Sequence, residues 1–140
     1  MKYIGLDLGS VTCGISKSDT GRFAMAVKTL RFKPDDYNAA FDMLLDYFEE
    51  EKPDVIVLGY PLLENGDEGP RASLSREFGE QLEIESGIKV IMQDERCTTR
   101  DSEEFLISAG VSRKKRKKVI DQQAAVRILQ YYLDSINKGA

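Results

Sequence analysis

Three carboxylates and one basic run are the residues in this chain whose types and positions could do chemistry. Asp7 interrupts the apolar stretch "YIGLDLG" (3–9). A buried, unpaired carboxylate costs several kcal/mol, so a chain that keeps one there has a partner, a metal or a task for it. Glu95 sits in "DER" (94–96), directly after the apolar run "IKVIMQ" (88–93). Asp121 opens "DQQAAVRIL" (121–129), and the small residues Ala124 and Ala125 would let a helix approach a sheet closely. Three acids from distant segments could hold two divalent ions roughly 4 Å apart, the arrangement used for in-line phosphodiester cleavage. The basic run is "RKKRKK" (113–118), that is Arg113, Lys114, Lys115, Arg116, Lys117 and Lys118. With Arg71 and Arg96 it forms the candidate nucleic-acid-binding set.

Composition narrows the chemistry. The 140 residues contain no histidine and only two cysteines, Cys13 and Cys97. Histidine triads, histidine bases and histidine-ligated zinc are therefore excluded, and a disulfide scaffold is not expected. A metal site must rest on oxygen ligands, which points to Mg²⁺ or Mn²⁺. The net charge of −4 argues against a polyanionic partner, but the charge is segregated. "DDYNAAFDMLLDYFEEEKPD" (35–54) is acidic and 113–118 is basic, and the local field governs the encounter with nucleic acid. No apolar run approaches the ~20 residues that cross a bilayer, and the N-terminus lacks a signal-peptide pattern. These features suggest a cytoplasmic protein folded as one domain over residues 1–140.

The elements that must position these groups follow from periodicity. Residues 2–8 alternate, with Ile4, Leu6 and Leu8 on one face and Tyr3, Gly5 and Asp7 on the other, as in a strand. Strands are also expected at 13–19 and 22–32, joined by a turn at "TG" (20–21), which makes an antiparallel meander. A helix over 35–51, a strand over 54–59, a helix over 71–86 weakened by Gly79, and a strand over 88–93 come next. A helix over 98–110 and a last one from about Val119 to Asn137 complete the chain. Alternation after a meander predicts an α/β protein with a mixed central sheet: three antiparallel strands plus two parallel strands, flanked by helices. Ligands bind at the carboxyl ends of strands in such sheets, where Asp7 and Glu95 would lie.

Plainer roles compete. Asp94 or Asp121 could cap a helix, and Glu95–Arg96 could be a surface pair worth at most ~1 kcal/mol. The cysteines read as small apolar fillers. Asp7 resists such an explanation, because aspartate is disfavoured inside strands. Gly9 and Gly14 bracket a loop in which backbone and a phosphate could come close to it.

Taken together and in this order, "GLDLGSVTCGIS", "VLGYPLLENGDEGPRA", "DERCTT" and "VSRKKRKKVIDQQAAVRILQYYLDS" resemble the YqgF/RuvX family over essentially the whole chain. That resemblance implies an RNase H-like fold. It also implies a Holliday-junction-resolvase-like nuclease linked to 5′-end maturation of bacterial pre-16S rRNA. Asp7, Glu95 and Asp121 match the family's acids. Gly9, Ser10, Pro61, Asn65 and Gly66, with Arg71, would shape the substrate loops, and the fold supports a homodimer. Three positions depart from the pattern: Val11 stands where Lys or Arg is common, Cys97 where a larger aliphatic is usual, and Asp67 where a hydroxyl residue is common. Two rival functions remain, a non-catalytic module that binds structured RNA or DNA and, more remotely, a fragment of an actin-like ATPase, whose phosphate loop "GLDLGS" resembles.

Overall fold

The computed structural model describes residues 1–96, 110 and 112–138, and of residues 113–122 the backbone alone. The helix expected over 98–110 lies outside the described residues but for its last position, 110. The elements run β1 (Tyr3–Leu8), β2 (Thr12–Ser18), β3 (Met25–Arg31), α1 (Tyr37–Glu51), β4 (Val55–Tyr60), α2 (Pro70–Ser86), β5 (Lys89–Asp94) and α3 (Arg113–Asn137). They form one five-stranded mixed sheet in the order β3-β2-β1-β4-β5. β1 pairs antiparallel with β2 and parallel with β4, so the expected meander and the two parallel strands share one sheet. The central strand is thus the one that carries Asp7.

Strand parity divides the core. On one face Ile4, Leu6, Leu8, Cys13 and Ile15 pack with Leu44, Phe48, Phe78 and Leu82 of α1 and α2. On the other, Tyr3, Val55 and Val57 pack with Ile128, Leu129 and Leu133 of α3. Local chemistry ends the helices where it should. Asp36 Oδ1 accepts from the Ala39 N–H at the start of α1, and Lys52 turns left-handed at its end, just before Pro53. Pro70 occupies the first turn of α2, where its missing N–H costs nothing, and Gly87 closes that helix at φ 73°. Gly79 does not weaken α2 without return. A side chain there would begin 3.1 Å from Leu58 and Met92, so its absence seats the helix against β4 and β5.

Two boundaries differ from expectation by three residues or more, and the others by no more than two. β3 starts at Met25 rather than 22, because the chain before it is bound elsewhere: Gln130 of α3 donates to the Arg22 carbonyl and accepts from the Ala24 N–H. α3 starts at Arg113 rather than about 119, so the whole basic run is helical. Lysine and arginine are good helix formers, and six in succession propagate the helix backward from its apolar stripe.

α3 lies unusually close to the sheet. The Ser16 hydroxyl donates to the Ala125 carbonyl at 2.6 Å, with both groups buried. A Cβ on Gly5 would fall 2.7 Å from Leu129 Cβ and 3.0 Å from the Ala125 carbonyl oxygen. Gly5→Ala should therefore push α3 outward and cost about 1–3 kcal/mol, as overpacking does. Urea denaturation of the variant against the parent checks this.

Candidate active site

Parity puts Asp7 on the α3 face of β1, opposite Gly14 of β2, whose missing side chain leaves room beside it. Glu95 follows β5, two strands away, and its backbone N–H still bonds the Tyr60 carbonyl at 3.2 Å. Two strand spacings are about 10 Å, yet the Glu95 carboxyl makes a side-chain hydrogen bond with Asp7. The route runs over Gly59 of β4. A Cβ there would meet the Glu95 carboxyl carbon at 2.8 Å and Ile128 Cδ1 at 2.7 Å. Glutamate supplies the reach and glycine supplies the floor. Two carboxyl groups bond only if one keeps a proton. Burial, and secondly the Asp7 charge, raise Glu95 well above the ordinary carboxylate range, while Arg71 acts in the opposite sense.

Arg71, in the first turn of α2, is held in place by two partners. It donates to the Leu8 carbonyl at 3.2 Å and to the Tyr37 hydroxyl at 2.9 Å. The Gly9–Thr12 loop is closed by a 2.7 Å bond from the Gly9 N–H to the Thr12 carbonyl, and Ser10 accepts from the Asp35 N–H at 2.8 Å. Asp35 holds φ 60°, a left-handed conformation uncommon outside glycine, where the two loops meet. Asn65 and Gly66 form the turn after Pro61: Asn65 accepts from the Asp67 N–H at 2.9 Å, and Gly66, at φ 90°, bonds the Leu63 carbonyl. Glu68 pins that loop to α2 through Arg76 and Ser73 and to the end of β4 through Tyr60, and the three together hold its carboxyl down to about 2.

Not every predicted residue converges. Arg96 pairs with Asp94 rather than with Glu95, at 2.7 Å, and also reaches the Glu64 carbonyl, so its guanidinium stitches the 61–69 loop to β5. Asp94 Oδ1 also accepts from the Arg96 N–H at 2.9 Å. Arg96 lowers the Asp94 carboxyl, chiefly through its side chain. Asp121 and residues 113–118 lie in α3, but their side chains, like Cys97, are outside the described residues. Among the described residues no group of three acids converges; two do, Asp7 and Glu95. Gly59 and Tyr37 were missed as site residues. Gly59 could have been suspected from its place at the end of an otherwise large-apolar run, Val55–Leu58. Tyr37 read only as part of an amphipathic helix.

The family model described as RuvX, Holliday junction resolvase, matches residues 1–135. A protein of Lactococcus lactis named "Putative pre-16S rRNA nuclease" is 47% identical, over 96% of this chain and 94% of its own. The chain belongs to the RuvX family. A Bacillus subtilis protein of the same name is 44% identical, over 98% of this chain and 100% of its own. Among solved structures, Thermus thermophilus RuvC in complex with Holliday junction substrate superposes with TM-score 0.63 at 11% identity, covering 99% of this chain and 96% of that one. The shared architecture is the RNase H-like fold. Membership in this nuclease family makes the chain a hydrolase by kinship. Among its described helices, none is long and apolar enough to cross a membrane.

For this RuvX-family chain the carboxyl pair has a thermodynamic signature. Glu95 titrates higher when folded than when unfolded, so the folded state binds the extra proton between those two values. The contribution of Glu95 to the stability of the metal-free protein is then largest at about pH 4 and below and declines as pH rises toward and through neutrality. Thermal melts in chelator across pH 4–8 should show this fall, and Glu95→Gln should flatten it.

Proposed function

We propose that this chain is a single-domain nuclease that hydrolyses phosphodiester bonds in structured nucleic acid with Mg²⁺ or Mn²⁺. Its proposed substrate is precursor 16S rRNA, the class named for the relatives from Lactococcus and Bacillus, with the 5′ leader as the proposed region of cleavage. The observation that carries the proposal is the Asp7–Glu95 carboxyl contact at the carboxyl end of the central strand. Two carboxyls forced together must share a proton or a cation, and hard oxygen donors without histidine or thiolate fit a hard divalent ion.

The helical period supports Asp121 as the third acid. It precedes Ala125, the residue bonded to Ser16, by one turn on the stripe that meets the sheet. Metal bound by Asp7, Glu95 and Asp121 would supply an activated water and neutralise the leaving oxygen. The chain's own groups do the rest. β1 fixes Asp7 rigidly, Gly59 admits Glu95, and Arg71 sets a charged fork beside the pair where a substrate phosphate can be oriented. The length of α3 favours the basic run as a phosphate guide. Its 25 residues span about 37 Å against roughly 20 Å for the strands. Asn137 is anchored to the Gly21 carbonyl at the far end of the sheet, so the helix start overhangs the strands' carboxyl ends.

Labelled pre-16S leader and a four-way DNA junction, incubated with Mg²⁺, Mn²⁺ or chelator, test the proposal. The leader should be cut only with metal. Asp7→Asn, Glu95→Gln and Asp121→Asn should each lower the rate at least about 100-fold, the upper end of what disturbing a mere support of a ligand costs. Cutting that survives chelator or Asp7→Asn overturns the mechanism. Binding without cutting in either metal makes the protein a nucleic-acid-binding module, and preference for the junction reassigns the substrate.

A further inference from the structure

The two flanks of the carboxyl pair differ in charge. On the β4–β5 side stand Glu64, Asp67, Glu68 and Asp94, and the arginines that reach them, Arg76 and Arg96, are in ion pairs with Glu68 and Asp94. A polyanion gains little there. On the β2–β3 side the register pairs Asp7 with Gly14, Gly14 with Thr29, and Thr12 with Arg31. Strand parity therefore sets Thr12, Thr29 and Arg31 on the same face as Asp7. α3 leaves that strip uncovered: Thr29 and Arg31 are exposed, while Leu30 between them turns to the other core. Lys33, two residues on and also exposed, is held beside the Gly9–Thr12 loop because the Phe32 N–H bonds the Val11 carbonyl at 3.0 Å. Among the described residues neither Arg31 nor Lys33 makes an ion pair. The acids nearest in sequence are engaged and belong to the α1 side: Asp36 caps that helix and Asp35 accepts from the Tyr37 hydroxyl.

We infer that the substrate strand leaves the carboxyl pair across β2 toward β3, and that Arg31, with Lys33 beyond it, binds a phosphate a few nucleotides from the cut. Two strand spacings and two residues along the strand put Arg31 roughly 12 Å from Asp7, close enough for one strand to touch both. The Thr12 and Thr29 hydroxyls are hydrogen-bond donors to the same phosphate path. Such contacts position without reading sequence, so the loss falls on binding and not on the chemical step. Val11, apolar and 42% exposed at the tip of the neighbouring loop, supplies no charge here, which leaves Arg31 and Lys33, among the described residues, as the unpaired cations of this flank.

This inference rests on the nuclease proposal for its substrate, so binding and cutting are measured separately in the full-length protein. Binding to labelled pre-16S leader is titrated over a range of salt for the parent, Arg31→Ala, Arg31→Lys and Arg22→Ala. Arg22 is an exposed cation at the other end of the sheet. Arg31→Ala should weaken binding several-fold and flatten the salt slope by about one phosphate, roughly 0.7–0.9 in log K per log salt, with KM raised and kcat kept. Arg31→Lys should restore the slope, and Arg22→Ala should leave it unchanged. Equal slopes for Arg31→Ala and Arg22→Ala overturn the inference and leave the nuclease standing. Loss of the slope in Arg31→Ala in a protein that never cuts supports the contact while overturning the nuclease.

Discussion

The contact between the Asp7 and Glu95 carboxyls spans a strand, and that span sets conditions on much of the rest of the molecule. β4 must pass beneath it carrying no side chain at position 59, and Ile128 must fill what remains. α3 must come near enough to enclose the pair, which requires Gly5, Gly14 and a serine at position 16 on the sheet. Like charges at this separation repel strongly in a medium of low dielectric, so the cost is carried by a shared proton or by a cation. A site of this kind is a small region of stored electrostatic strain held by a stiff sheet.

The stiffness comes from the division of labour between the two faces. α1 and α2 cover one side with large apolar residues, including the edge-to-face pair Phe41–Phe78. α3 covers the other with a narrower stripe of Ile128, Leu129 and Leu133. The thicker layer supplies most of the burial, which frees the α3 face to carry glycine, serine and acid near the strands' carboxyl ends. The same narrowness leaves the α3 face of β3 open, and the open strip is where Arg31 and Thr29 reach solvent.

The matches separate what the fold shares from what the sequence shares. The Thermus RuvC chain shares the fold from end to end with little sequence in common, while relatives at 44–47% identity match nearly the whole chain in sequence as well. Fold similarity at 11% identity speaks to architecture; the chemistry belongs to the side chains that the strand ends display.

Much of this was legible in the chain itself. A period of two in 2–8 told which face Asp7 shares, and an apolar run without alternation told that β4 is covered on both faces. The similar run of β5, which suggests a buried strand too, lies instead at the sheet edge and is only half-buried. Residue types alone limited any metal to oxygen ligands. Periodicity is local, and it reports which way a side chain points, not what it meets. That Arg96 reaches the Glu64 carbonyl, that Glu95 crosses β4 to Asp7, and that Gly59 is what lets it cross were decided by strand order and register. Those are long-range pairings between segments more than thirty residues apart. Their energy comes from closing the sheet as a whole, so the tertiary structure alone could fix them.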